Sequence, residues 1–154
     1  MNETNFAEMQ ATFLEVVEKL TFMFGEEAEM DEIEVGDEPW VEARMKFTGD
    51  LNGSLAVIVQ ESLQPEIAAN ILGLDADGID TKEMLDDALR EMLNVVCGHV
   101  IMALVGQDSN FDLFAPSNEV LPSEALQVLM SDSATTAYLL DDEPLLLHLQ
   151  IEQG

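Results

Sequence analysis

Positive charge is what this sequence has least of. Lys19, Arg44, Lys46, Lys82 and Arg90 stand alone against 32 acidic residues, a net charge of −27 over 154 residues, and no base follows Arg90. Nucleic-acid binding requires cations that neutralise phosphates, so direct binding to DNA or RNA is excluded on charge, and anionic membrane surfaces are disfavoured for the same reason. Such acidity serves solubility or a high-salt habitat before it specifies a partner. Cys97 is the single cysteine, so no internal disulfide is possible and a reducing compartment fits. It lies among Val95, Val96 and Val100, a setting for an inert packed thiol. The N-terminal MNETNFAEMQ has neither a basic nor an apolar leader region, and the greasiest stretch, Met92 to Gly106, carries Asn94 and His99 and is short for a bilayer span. The expectation is a cytoplasmic protein without membrane insertion.

Catalytic and metal signatures are missing too. There is no G-x-S-x-G, no glycine-rich phosphate loop and no zinc-ligand spacing, which leaves a stand-alone hydrolase, nucleotide enzyme or metalloenzyme without support. The acidic run Glu26 to Glu38 lacks the spacing of a calcium loop and reads as a solvated connection. His99 and His148 are isolated from each other and from other ligand types, and no ligand or catalytic role is assigned to either.

What is present is a core. Hydrophobic residues make up 47% of the chain, ample for one domain spanning residues 1–154. Its organising stretch is Thr81 to Val105, where Thr81 is a natural N-cap, proline is absent and the only glycine is Gly98, so the spacing predicts one long helix. At ~100° per residue Asp87, Glu91, Asn94 and Gly98 fall within about 40° of one another, a narrow polar stripe opposite a broad apolar arc of Leu85, Leu89, Met92, Leu93, Val96 and Val100. After Glu91 no charge occurs until Asp108. An amide at position 94 therefore either has a partner inside the fold or faces a surface that another molecule visits, because an unpaired buried amide costs roughly 1–3 kcal/mol. Gly98, costly in a helix, suggests that something approaches the backbone there.

Elsewhere the periodicity predicts a first helix from Phe6 to Phe24 and a hairpin of Trp40–Thr48 and Ser54–Gln60 across Asp50–Gly53. It further predicts a short helix from Ser62 to Leu72 with Pro65 in its first turn, a strand from Phe111 to Ala115 stopped by Pro116, and a second hairpin of Thr135–Leu140 and Leu145–Glu152. Ser123 to Met130 is ambiguous between helix and strand. Glu18 aligns with Glu91 and Gly25 with Gly98 at one constant offset, which implies a divergent internal duplication: two helix-plus-hairpin units, α+β, with Leu14 and Thr21 standing where the second copy has Asp87 and Asn94.

A carboxylate and a carboxamide one helical turn apart are able to hold and aim a water molecule, yet they lack a nucleophile, a metal and a cation for developing negative charge. The missing parts would have to come with the substrate. The segment DALREMLNVVCGHV resembles the D/S-x-x-x-E-x-x-N motif of the CheC, CheX and FliY chemotaxis phosphatases, with Asp87, Glu91 and Asn94 at the motif positions. That resemblance implies an antiparallel-rich sheet with two long helices packed beside it, and hydrolysis of the aspartyl-phosphate of a phosphorylated CheY-like response regulator. It implies that Asn94 orients the attacking water, that Glu91 pairs with the regulator's lysine and that Asp87 sits at the rim of the docking surface. It implies no cofactor of the chain's own, the Mg²⁺ belonging to the partner regulator. With one motif rather than two the chain is similar to the CheX type, whose members are homodimers. The alternative readings are a non-catalytic dimeric interaction module that binds a signalling protein through the same helix, a self-association surface, and a merely solvated polar stripe.

Overall fold

The computed structural model describes residues 3–79, 81–106, 108 and 110–152. Asp80, which the sequence places just ahead of the long helix, lies outside the described residues. The chain runs α1 (Glu3–Thr21), β1 (Gly25–Ala28), β2 (Trp40–Gly49), β3 (Gly53–Gln60), α2 (Gln64–Leu72), α3 (Lys82–Val105), β4 (Phe111–Leu113), β5 (Ser117–Leu121), α4 (Ser123–Ser131), β6 (Thr135–Leu140) and β7 (Glu143–Ile151).

All seven strands form one antiparallel sheet in the order β1-β6-β7-β3-β2-β4, with β5 pairing β2 beside β4. Exchanging β1, β2 and β3 with β5, β6 and β7 reproduces this order reversed, so the strand topology has the pseudo-two-fold character that the helix-plus-hairpin repetition implies. The glycine pair used to align the halves is not equivalent: Gly25 opens β1, whereas Gly98 lies well inside α3. The first helix stops at Thr21, and Phe22 and Phe24, read as helical, stand outside it at 79% and 66% exposure.

One face of the sheet is covered by α1, α2 and α3. Val57, Val59, Leu145, Leu147 and Tyr138 meet Phe13 and Val17 of α1, Ile67 of α2 and Leu89, Met92, Leu93 and Val96 of α3 in one buried cluster. The rings of Phe13 and Tyr138 lie 4.9 Å apart, centroid to centroid. Alternation along β2 predicts an open second face carrying Glu42 and Arg44, but half of that face is also closed. Trp40, Ile58, Leu121, Leu126 of α4, Leu146 and Ile33 form a second cluster there, and Glu42 is buried with its carboxylate on Arg44 Nε at 2.8 Å. The ambiguous segment becomes helix α4 because this face needs a cover.

The acidic connection of residues 26–38 does more than span a gap. Its start is β1, an edge strand on β6, and its end folds over the sheet so that the Val35 carbonyl accepts from Trp40 Nε1 at 3.0 Å. β4 ends at Leu113, two residues short of the expected Ala115, and beyond Pro116 the chain resumes extended structure as β5, a strand not anticipated from the sequence. The second hairpin turns tightly at Asp141 and Asp142, both left-handed, at φ 48° and 68°, as a two-residue turn requires.

By length and composition α3 is apolar enough to cross a membrane, which corrects the expectation drawn from Met92 to Gly106 alone. In the fold it is an inner helix: Ala88, Leu89, Met92, Leu93, Val96, Cys97, Val100 and Ile101 are each at most 1% exposed.

Candidate functional site

Thr81 caps α3, its hydroxyl accepting from the Met84 amide at 3.2 Å, and fixes where the helix starts and hence which residues face the sheet. From that start the apolar arc takes Leu89, Met92, Leu93 and Val96 inward, while Asp87, Glu91 and Asn94 are all exposed on the opposite side. Spacings of four and three put these three side chains on adjoining turns, roughly 5–6 Å apart at Cβ. Among the described residues neither Glu91 nor Asn94 has a side-chain hydrogen bond, so Asn94 has no partner inside the described fold and its amide faces solvent.

The stripe is not flat. Asp87, Arg90, Glu91 and Asn94 form one side of an open depression of about 470 Å³ whose other side is Ala115 and Pro116, the link between β4 and β5. Sequence reasoning missed this second wall. Pro116 carried only a strand-stop signal, and nothing local to it announces that the sheet edge returns beside α3. Arg90 was missed as well. It is half-buried and forms an ion pair with Asp87 while its Nη1 donates to Asn118 Oδ1 at 3.2 Å. Of the three motif side chains, Asp87 alone is thus engaged within the chain.

Gly98 ends the stripe without the close approach expected of it. A Cβ built there meets nothing within 4 Å, so the backbone faces open space. Gly98→Ala should therefore stabilise the fold by about 0.5–1 kcal/mol through helix propensity, measurable as a higher urea midpoint; a loss of stability would show that the position is packed.

The remaining chemistry-bearing residues lie apart from the depression. Cys97 is fully buried, and burial pushes its thiol up to about 12. At pH 8 only about one part in 10⁴ is then thiolate, so a disulfide-based thiol reagent should label the native chain at least a thousandfold more slowly than the urea-unfolded chain. Rapid labelling of folded protein would contradict this burial. His99 is exposed, its Nδ1 2.9 Å from the Val95 carbonyl. His148 is buried on the far face of the sheet, with Nδ1 3.1 Å from Arg44 Nη2 and Nε2 3.2 Å from Asp132 Oδ2. Because the guanidinium donates, Nδ1 must be the accepting nitrogen and Nε2 carries the proton toward Asp132. The Ala134 amide and then this ring hold the Asp132 carboxyl below the usual carboxylate range. This is a structural bridge from α4 to the sheet. Among the described residues no group of three or more His, Cys, Asp or Glu is placed to hold a metal ion.

A more enclosed crevice of about 320 Å³ lies between α2, the start of α3 and β5. Lys82 is committed to Asp86 at 2.7 Å and Thr81 to the helix cap, whereas Gln64 Nε2 is buried there without a partner; the lining holds no nucleophile with an adjacent base. The depression over Glu91 and Asn94 is the better candidate, because these two polar side chains are exposed and make no bond among the described residues.

Comparison with known proteins gives the family and the fold. No curated protein matches the sequence. Among solved structures, the chemotaxis protein CheX of Desulfovibrio desulfuricans superposes with a TM-score of 0.70 at 16% identity, over 97% of this chain and 99% of that one. CheX of Borrelia burgdorferi, in a CheX–CheY–BeF3–Mg²⁺ complex, gives 0.69 at 15% identity over 96% and 97%. A CheC-like protein from a Shewanella species gives 0.64 at 17% identity over 99% and 100%. At such identities these likenesses establish the fold. The family described as chemotaxis phosphatase CheX matches the sequence itself over residues 41–124, more than half of the chain and a span containing both walls of the depression. The chain belongs to the chemotaxis phosphatase CheX family.

Proposed function

We propose that this protein hydrolyses the aspartyl-phosphate of a phosphorylated CheY-type response regulator, inserting Glu91 and Asn94 of α3 into the regulator's active site. The observation that carries the reading is an exposed carboxylate and an exposed carboxamide one turn apart, neither spent on an internal bond, on the rim of a depression wide enough to admit a partner's loop. Asn94, with one acceptor and two donors, holds a water by its side-chain amide and aims it at phosphorus; the water's oxygen forms the new P–O bond as the bond to the aspartyl oxygen breaks. Glu91 pairs with a lysine of the regulator and fixes register, and Asp87 stands at the rim. Positioning is nearly all such a reaction asks of the protein, since a loose phosphoryl transition state needs little covalent help. The metal ion would be the regulator's own Mg²⁺, offsetting phosphoryl charge, with no cofactor on this chain.

The CheX type further suggests a homodimer in a cytoplasmic setting. Against a regulator that is itself acidic, stimulation should rise from low to moderate salt as screening shortens the range of like-charge repulsion. The test is the decay of phosphorylated CheY-type regulators from the same organism with and without this protein at moderate salt. Accelerated decay supports hydrolysis. Tight binding without acceleration supports the dimeric interaction module instead, and no effect on any regulator removes the phosphatase reading.

A further inference from the structure

We infer that Asp87 acts through Arg90 and Asn118, as a strap that sets how far α3 stands from the β4–β5 wall and so presets the docking depression; this rests on the phosphatase reading and deepens it. Arg90 is the only Lys or Arg on α3 after Lys82, and both its terminal nitrogens are committed: Nη2 to the Asp87 carboxylate and Nη1 to Asn118 Oδ1 at 3.2 Å. Asn118 returns its Nδ2 toward the Asp86 carbonyl at 3.5 Å. The helix thus grips one amide of β5 from two consecutive turns.

The ladder to β2 holds β5 in the sheet, but no second strand backs it from the other side. β5 is an edge strand paired only with β2, and of its residues Asn118 and Val120 share the face on which the helices lie, opposite Ala43 and Val41. Val120 is 51% exposed, so apolar packing between α3 and β5 is slight. Asn118 stands two residues beyond Pro116, which forms the wall of the depression facing Glu91 and Asn94. A rigid strand connects the two, so whatever holds Asn118 to the helix also places Pro116 relative to Asn94. Removing the guanidinium would in addition leave Asp87 and Glu91 without a nearby cation on adjacent turns, while Asp86 keeps Lys82. Asn118 itself does not line the depression, which makes it a positioning residue with no contact of its own to a docked partner.

The full chain carrying Asn118→Ala, Asp87→Ala, Arg90→Ala or the double change Asp87→Ala with Arg90→Ala tests this. Two quantities are read: the regulator concentration giving half-maximal stimulation, and amide hydrogen exchange across residues 117–121. Each single change is expected to raise the half-maximal concentration about threefold to tenfold, with a smaller change in turnover at saturation, and to speed exchange in the first half of β5. The double change should match Arg90→Ala alone, because a residue acting through another adds nothing once that other is gone. Additive losses would show that Asp87 meets the regulator directly and overturn the strap. So would unchanged exchange in all three single variants. If the wild-type protein stimulates no regulator, the exchange result still decides the strap while the phosphatase reading falls separately.

Discussion

Asn94→Ala is expected to lose at least about a hundredfold of the acceleration of regulator dephosphorylation while melting within about 2 °C of the unaltered chain. The activity loss follows from the assigned role. A water held at one point by a fixed amide reacts from a near-attack position, and a methyl group holds no water. The stability half follows from the fold. Asn94 is exposed and has no side-chain hydrogen bond among the described residues, and alanine is the better helix former, so folding has nothing to lose. Glu91→Ala should differ in kind. It removes a pairing to the regulator, so the half-maximal concentration rises more than the saturated rate falls. Retained acceleration in Asn94→Ala would refute the water-orienting role, and a fall of many degrees in melting temperature would show that the amide is part of the core.

The neighbouring position should behave in the opposite way. Leu93 is fully buried, in the cluster that joins α3 to the sheet and to α1. Leu93→Ala removes three buried carbons and leaves a cavity where the flanking Met92 and Val96 are themselves locked by packing, a cost of about 2–5 kcal/mol. For a chain of this size that lowers the melting temperature by roughly 5–15 °C. Assayed well below its transition, the variant should keep most of its stimulation per folded molecule, since the stripe is turned away from the defect. Residues 93 and 94 thus separate stability from activity across one peptide bond. A stability change under about 1 kcal/mol for Leu93→Ala would mean that α3 does not pack through this face.

How much of this was legible beforehand depended on whether the determining forces were local. Helix α3 was readable almost to the residue, because its cap, its lack of proline and its apolar period all lie within the segment. The hairpins were readable because alternation and turn residues are local too. β5 was not: Ser117-Asn118-Glu119-Val120-Leu121 shows no run of apolar residues, and it is a strand because β2 offers an unpaired edge beside it. The same holds for β1, which is acidic and becomes a strand on β6. Helix α4 resolved an ambiguity in favour of whatever could cover Trp40 and Leu146.

The site divides along the same line. The sequence by itself determined that Asp87, Glu91 and Asn94 share one face of one helix, because helical geometry converts spacing into direction, and it determined the acid excess that disfavours phosphate-rich partners. Only the tertiary structure decided that Glu91 and Asn94 stay unpaired among the described residues while Asp87 is held by Arg90. Only it brought Ala115, Pro116 and Asn118 up to that face. Those contacts join residues far apart along the chain, and their geometry exists only once the sheet edge and the helix have packed on a common core.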